Sequence, residues 1–157
     1  MDSKGSVSIM KTLYYLPIIG GLFYIMRESS TVSPYDELIN AISIKYGNPP
    51  ELVKAIIKVE SNFNPNAHNT DGENSRGLGQ INEVTAKALG VVNMEKLFEP
   101  EYNIEIINKL INHLRTIYSA WKDIISAYNA GRVNFKDGKY SNQKYVDKVY
   151  KYYTAYS

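Results

Sequence analysis

The sequence PELVKAIIKVE, residues 50–60, decides the kind of fold that this chain adopts. Its apolar residues Leu52, Ile56 and Val59 recur at helical spacing, which predicts an α-helix with one buried face. A single carboxylic acid, Glu60, stands at the end of that helix, before a polar stretch that breaks it. The segment therefore predicts a core helix that delivers one glutamate to its end.

On both sides of this helix, apolar residues recur at the same helical spacing along the chain. Ser33-Pro34 with Asp36 predicts a helix start, and the next start falls at 48–51, with Glu51 in the capping-box position. Residues 66–76 are polar and contain glycine, which predicts a loop. The predicted helices cover residues 34–46, 50–60, 83–89, 100–118, 121–128 and 145–156. Since no alternating pattern is strong enough for a sheet, we predict an all-α fold.

The composition limits the partners and the chemistry. A chain of 157 residues with 44% hydrophobic residues suits one domain plus a short extension. The net charge of +2, without clustered basic and aromatic residues, argues against nucleic acid. There is no cysteine, the two histidines His68 and His113 lack ligand spacing, and no phosphate loop or nucleophile elbow is present. We therefore predict no metal and no cofactor.

The N-terminal part has a different character. Residues 13–26 (LYYLPIIGGLFYIM) carry no charge, and the apolar stretch extends back to residue 9. Its length lies between a signal-peptide core and a spanning helix of about 20 residues. Lys4 and Lys11 precede it, and no Ala-x-Ala cleavage site follows. We predict a retained membrane anchor in residues 1–29, through residues 9–26, and a catalytic domain in residues 30–157; a cleaved signal peptide or a helix packed on the domain are the alternatives.

Three polar blocks indicate the chemistry. Glu60 follows an apolar run, so partial desolvation can raise its pKa and keep it protonated as a general acid. The second block is residues 77–80 (GLGQ), whose glycines let the backbone approach a ligand and whose Gln80 can donate and accept. The third is residues 127–131 (AYNAG), with Tyr128 and Asn129 at a helix end. Each block alone is more often an ordinary helix end or glycine turn.

Together and in this order, the blocks resemble the soluble-type lytic transglycosylases and their lysozyme-like helical domain, over about residues 35–155. The resemblance implies non-hydrolytic cleavage of the β-1,4 bond between N-acetylmuramic acid and N-acetylglucosamine in peptidoglycan, with a 1,6-anhydro product. It implies that Glu60 acts first as acid and then as base. The substrate-binding residues that we predict are Ser61, Ser75, Gln80, Tyr128, Asn129 and Tyr145.

The chain departs from the family pattern at three places. Gly79 stands where many members have methionine, Asn82-Glu83 replaces a common Met-Pro, and Ile107 stands where glycine is usual. These positions concern the groove wall and helix packing.

Two rival functions remain open. One is a hydrolytic muramidase of the goose-type-lysozyme kind, which needs a second carboxylate, with Asp71, Glu73 and Glu83 as candidates. The other is a wall-binding or assembly component without catalysis. For the setting, we expect local wall opening by a secretion or conjugation machine or by a phage particle. The domain would then act in the periplasm or wall space, or be carried in a virion.

Overall fold

The computed structural model describes residues 33–157. The predicted anchor through residues 9–26 lies outside these residues and stays a prediction. Among the helices in the described part, none has both the length and the apolar character needed to cross a membrane.

The described chain is built mainly from helices. They are α1 (Asp36–Tyr46), α2 (Pro50–Glu60), α3 (Glu83–Ala88), α4 (Pro100–Arg115), α5 (Trp121–Ala130) and α6 (Gln143–Tyr156), with a 3₁₀ turn at Met94–Phe98. The predicted helices all form, although α4 ends three residues early. Its last turn tightens there, because the N–H of Thr116 donates to the carbonyl of His113.

Two small hairpins form where we predicted no sheet. β1 (His68–Asn69) pairs antiparallel with β2 (Ser75–Arg76) inside the predicted loop at 66–76. β3 (Phe135–Lys136) pairs with β4 (Lys139–Tyr140) between α5 and α6. Strands of two residues are too short to show an alternating pattern, which is why the sequence did not reveal them.

The helix starts differ in detail from the prediction. The expected capping box of α2 does not form, since no side chain caps that helix and Pro50 simply occupies its first turn. Asn48 is buried instead, and its amide donates to the side-chain oxygen of Asn108 at 2.9 Å. At α1, the Asp36 carboxylate accepts the N–H of Ser33 at 3.1 Å.

The core forms around α2. Leu52, Val53 and Ile56 are fully buried, and Val59 is half-buried. The most extensive helix contact joins α2 to α6, where Val146 and Val149 are fully buried. Each such side chain contributes about 1.5–3 kcal/mol through the burial of apolar surface. The consequence for the site is that the end of α2 lies beside the first turns of α6.

Candidate active site

Glu60 is the last residue of α2 and is half-buried. The hydroxyl of Tyr145, the third residue of α6, lies 2.5 Å from Oε1 of Glu60. Burial raises the pKa of Glu60 to about 7, although the Tyr145 hydrogen bond and the positive charge of Lys148 both act to lower it. Near neutral pH, both the protonated and the ionised forms of this acid are therefore populated.

Glu60 opens into a polar pocket of about 350 Å³. Its wall contains three carboxylates, three amide side chains from asparagine, one from glutamine, and two hydroxyl groups. The lining residues are Glu60, Asn69, Asp71, Gly72, Glu73, Ser75, Gln80, Asn82, Tyr128 and Asn129. A surface of this kind offers the donors and acceptors that a hydroxyl-rich ligand requires.

The β1–β2 hairpin forms one wall of the pocket. Glu73 accepts a hydrogen bond from the side chain of Asn82 at 2.6 Å. The ring of His68 and the side-chain oxygen of Asn74 lie 2.7 Å apart across the hairpin. Asp71, in the connecting turn, has a carboxylate without a hydrogen bond from any residue in 33–157. The hairpin is thus braced at its base and presents a free carboxylate to the pocket.

The Gly77–Gln80 turn is held by a buried asparagine. Asn103 of α4 accepts the N–H of Gly79 at 2.8 Å and donates to the carbonyls of Arg76 and Leu97. A side chain at Gly77 would collide with the Leu97 carbonyl, and its φ of 75° also favours glycine. The family resemblance includes a glycine at position 77. The short distance between the Gly77 backbone and the Leu97 carbonyl explains why only glycine fits there.

Gln80 has fewer hydrogen-bonding groups available to a ligand than we predicted. Its backbone is left-handed with φ of 47°, and its amide nitrogen donates to the carbonyls of Ala67 and Gly77, both at 3.0 Å. Only its side-chain oxygen remains for a ligand, so it can accept but not donate in this arrangement.

Tyr128 and Asn129 lie at the end of α5. The buried hydroxyl of Tyr128 donates to the Gly79 carbonyl at 2.8 Å, and burial together with the nearby Glu60 raises its pKa well above the ordinary value. Asn129 is exposed, and its oxygen accepts from Asn142 at 3.0 Å. Tyr128 therefore stays neutral and ties α5 to the glycine turn, while the Asn129 amide nitrogen faces no acceptor within residues 33–157.

The predicted site residues thus separate into groups. Glu60, Ser75, Gln80, Tyr128 and Asn129 line one pocket. Tyr145 is not in its lining but contacts Glu60 directly. Ser61 also lies outside the lining, and its hydroxyl donates to the Ile57 carbonyl at 3.3 Å.

Sequence reasoning missed Asn69 as a pocket residue, and it named Asn82 only as a departure from the family pattern. It also missed Asn142, whose amide donates to both the Ser126 carbonyl and Asn129. A concentration of amide side chains in the polar loop and after Gln80 was the available signal. Within residues 33–157, no group of three acidic, histidine or cysteine side chains is placed to hold a metal ion.

A second groove of about 360 Å³ continues from the polar pocket. The two share Glu73, Asn82, Tyr128 and Asn129. Its further walls come from α3, the end of α4 and α5, and are largely apolar, with Thr85 and His113 as polar exceptions. The cleft therefore extends well past Glu60 on one side.

A fold of this kind, with one half-buried glutamate at a helix end beside a polar cleft, has known relatives. Residues 37–152 match the transglycosylase SLT domain. The chain therefore belongs to this family, that of the soluble lytic transglycosylases, and is by family an enzyme of the lytic transglycosylase class.

Individual proteins show the same likeness. The chain is 31% identical over 114 residues to Protein IpgF of Shigella flexneri, covering 69% of this chain and 74% of that protein. It is 32% identical over 115 residues to the transglycosylase of Enterobacteria phage PRD1, covering 73% and 41% of the two chains. Its fold matches the lytic transglycosylase Slt of Pseudomonas aeruginosa with a TM-score of 0.63 at 18% identity, over 78% of this chain but 24% of that one. The chain thus spans about a quarter of that larger enzyme.

Proposed function

We propose that this protein cleaves the β-1,4 bond between N-acetylmuramic acid and N-acetylglucosamine in peptidoglycan and releases 1,6-anhydro-muramic ends. The observation that carries the proposal is the raised pKa of Glu60, about 7, at the edge of a polar cleft. A carboxyl with this pKa can deliver a proton and take one back at neutral pH.

The geometry supports different roles for the two oxygens of the Glu60 carboxyl group. Because the Tyr145 hydroxyl holds Oε1, Oε2 is the oxygen that carries the proton. Protonation of the bridging oxygen breaks the glycosidic bond and leaves Glu60 ionised, with Tyr145 stabilising the anion. Oε2 then takes the proton of the muramoyl C6 hydroxyl. The C6 oxygen bonds to C1 of the same sugar and closes the 1,6-anhydro ring, so no water is consumed.

The pocket residues support binding roles. The side-chain oxygen of Gln80, the Ser75 hydroxyl and the Asn129 amide nitrogen are groups left available to sugar hydroxyl and N-acetyl groups. Tyr128 acts as a positioning residue, since its hydroxyl is engaged with Gly79. For Ser61, the bond to Ile57 favours a structural role at the helix end instead of contact with substrate.

The test is mass spectrometry of fragments released from purified peptidoglycan by the full chain and by Glu60→Gln. We expect anhydro-muramic ends, one water lighter than reducing ends, from the native protein and none from the variant. Fragments released equally by both proteins would overturn the role of Glu60. No release by the native protein, with binding to the wall retained, would support a binding or assembly component.

One observation favours hydrolysis as a second candidate. Asp71 and Glu73 line the same pocket as Glu60, and the Asp71 carboxylate is free to hold a water. Glu83, the third residue considered, is paired with Lys87 at 2.7 Å and lies outside this pocket. Under hydrolysis, the native protein would release reducing ends and Asp71→Asn would abolish them; under transglycosylation, Asp71→Asn would leave the anhydro ends in place.

For the biological setting, we propose local opening of the cell wall on behalf of a phage particle or a secretion or conjugation machine. Similarity to a transglycosylase of phage PRD1 supports the first of these. The domain would act where peptidoglycan is, in the periplasm or wall space. Loss of phage entry or of machine assembly in a Glu60→Gln strain would distinguish the two settings.

A further inference from the structure

One amide side chain of the cleft is held by a second amide that lies outside it. Asn129 lines both cavities of the cleft, whereas Asn142 lines neither. The nitrogen Nδ2 of Asn142 donates to Oδ1 of Asn129 at 3.0 Å. The other polar atom of the Asn129 side chain, its Nδ2, has no acceptor within residues 33–157. The pair therefore connects the cleft to the start of α6.

Asn142 stands at a position where asparagine usually has another role. It directly precedes Gln143, the first residue of α6, and asparagine at such a position commonly caps its own helix by accepting a backbone N–H. No side chain caps α6 in this way. The side chain of Asn142 bonds instead to Ser126 and Asn129 of α5. Capping of α6 therefore does not explain the presence of asparagine here.

The orientation of the Asn142 amide is fixed by the backbone of α5. A carbonyl can only accept, so the atom of Asn142 that lies 3.0 Å from the Ser126 carbonyl is the nitrogen. The hydroxyl of Ser126, a fully buried residue, donates to the Asn142 oxygen at 2.8 Å. Both N–H bonds of the Asn142 amide are then used, one by the Ser126 carbonyl and one by Asn129. Turning this amide over would bring its oxygen against two acceptors.

This orientation determines which atom Asn129 presents to the cleft. An asparagine side chain carries one donor atom and one acceptor atom, so an unrestrained amide can present either. Because the nitrogen of Asn142 faces it, Asn129 makes that contact with its oxygen. Its NH₂ group is the end that remains for a ligand. The cleft therefore has a donor at this position and not an acceptor.

A donor of fixed orientation suits a ligand group that can only accept. Gln80, in the same polar cavity, is fixed the other way, since its nitrogen bonds to two carbonyls and its oxygen remains free. An N-acetyl group on a sugar offers the complementary pair, a carbonyl that only accepts and an N–H that only donates. A sugar hydroxyl can do either, and it would bind an amide in both orientations.

We propose that Asn142 is a positioning residue for substrate binding: it holds Asn129 so that the amide nitrogen of Asn129 donates to the N-acetyl carbonyl of a bound sugar. The inference rests on the proposed function, because it assumes a peptidoglycan strand in the cleft. Asn142 does not touch the substrate and acts through Asn129. The competing explanation is that Asn142 only joins α6 to α5 and so keeps Tyr145 near Glu60.

The test is a double-mutant cycle on ligand binding. Isothermal titration calorimetry measures how a soluble tetrasaccharide of alternating N-acetylglucosamine and N-acetylmuramic acid binds to the full chain carrying Glu60→Gln, which leaves the ligand uncut. Asn142→Asp keeps the size of the side chain but replaces its donor by an oxygen, and it is made with and without Asn129→Ala. The matched control is Asn112→Asp, since Asn112 is also half-buried, donates to a carbonyl, that of Tyr46, and lines neither cavity.

With Asn142→Asp, we expect Asn129 to turn its nitrogen toward the new carboxylate and its oxygen toward the cleft. The tetrasaccharide should then bind about five- to twentyfold more weakly, since one hydrogen bond is lost and two acceptors face each other. In the Asn129→Ala background, which already lacks the donor, Asn142→Asp should change the dissociation constant by less than about twofold. Asn112→Asp should bind as the parent does.

A second variant and a fold measurement accompany the cycle. Asn142→Ala removes the hold on Asn129 without adding a charge, so it should weaken binding about two- to fivefold, again only when Asn129 is present. Circular dichroism melting of each protein checks that the fold is kept. If Asn142→Asp does not fold, Asn142→Ala completes the same cycle.

Three results would overturn the proposal: unchanged binding in the Asn142 variants, a loss of the same size with and without Asn129, or an equal loss in Asn112→Asp. The second of these is the result that the competing explanation requires, because a distorted α6 weakens the site whether or not Asn129 is there. Failure of the proposed function reads out separately, as native protein that releases no anhydro ends from purified peptidoglycan while the binding cycle keeps its result.

Discussion

At the scale of single residues, the site depends on opposed effects on one carboxyl group. Burial at the end of α2 raises the pKa of Glu60, whereas the Tyr145 hydroxyl and the Lys148 charge favour its ionised form. The resulting value of about 7 places the acid where it can act in both directions. A group that must first donate and then accept a proton works best near the ambient pH.

Tyr145→Phe tests this balance. Loss of a hydrogen bond to the charged form should raise the pKa of Glu60 further, by about one unit. Because the proposed mechanism starts from protonated Glu60, the falling limb of kcat/KM should move to higher pH by a similar amount. Tyr140→Phe, which removes a hydroxyl bonded to Asp123, should leave that limb unmoved. A limb that stays in place or moves down in Tyr145→Phe would contradict this account.

Glu60→Gln tests how much the ionised Glu60 carboxylate lowers the stability of the folded protein. The folded pKa of about 7 exceeds the ordinary 4.5, so the folded state holds the proton more tightly. The contribution to stability is full below pH 4.5 and is lost as pH rises through 7. The gain in unfolding free energy from Glu60→Gln should therefore grow by about 2–3 kcal/mol between pH 4.5 and 8. Urea unfolding at both pH values measures it, and Glu101→Gln, at an exposed site, should show no such growth.

At the scale of elements, the glycine turn, α4 and α5 meet at Gly79. A Cβ at this position would lie 2.5 Å from Cγ1 of Ile107 and 2.7 Å from the Tyr128 hydroxyl. Two of the departures from the family pattern, Gly79 and Ile107, are thus in contact. The larger side chain on α4 occupies the space beside a turn residue that has none, which accounts for the two departures as one packing arrangement.

A double-mutant cycle tests this coupling. Ile107→Ala alone should lower the unfolding free energy by about 2–5 kcal/mol, as for other buried aliphatic truncations. Gly79→Ala should cost clearly less in the Ile107→Ala background than in the native one, with a coupling of about 1 kcal/mol. The Ile111→Ala background is the control, since Ile111 is equally buried on α4 but is not among the nearest atoms to that Cβ. Equal costs of Gly79→Ala in all backgrounds would refute the arrangement.

At the scale of the whole molecule, the last helix, α6, packs against α2, the helix that carries Glu60. The contact of α6 with α2 is the most extensive between helices, and it brings Tyr145 to a residue 85 positions earlier. The site therefore cannot form without the last helix, and loss of structure in α6 should remove activity as well.

Val149→Ala tests this dependence. Val149 is fully buried, so the truncation should cost about 2 kcal/mol and lower the melting temperature by several degrees. The midpoints of thermal unfolding measured by Trp121 fluorescence, by circular dichroism and by residual activity should shift by the same amount, because α5 also packs against α6. Val92→Ala, at a residue 95% exposed, should leave all three in place. Activity that survives beyond the structural midpoint would argue against the dependence.

Several features were predictable because they are local. Helical period, proline starts and glycine stops predicted α1 to α6, since each depends on residues a few positions apart. The two hairpins were not predictable, because strands of two residues have no measurable period. The role of Asn48 was misjudged for a related reason: the sequence shows that a side chain is polar, but its hydrogen-bond partner depends on which element packs above it.

By itself, the sequence determined a helical domain with one glutamate at the end of a core helix, and the family to which the three polar blocks belong. Tertiary structure alone decided that Tyr145 holds Glu60, that the Tyr128 hydroxyl is engaged with Gly79, and that Asp71 enters the same pocket. The physical reason is that a side chain's proton affinity and free hydrogen-bonding capacity depend on burial and on neighbours distant in the chain. Those quantities come into existence only when α2, α5 and α6 pack together.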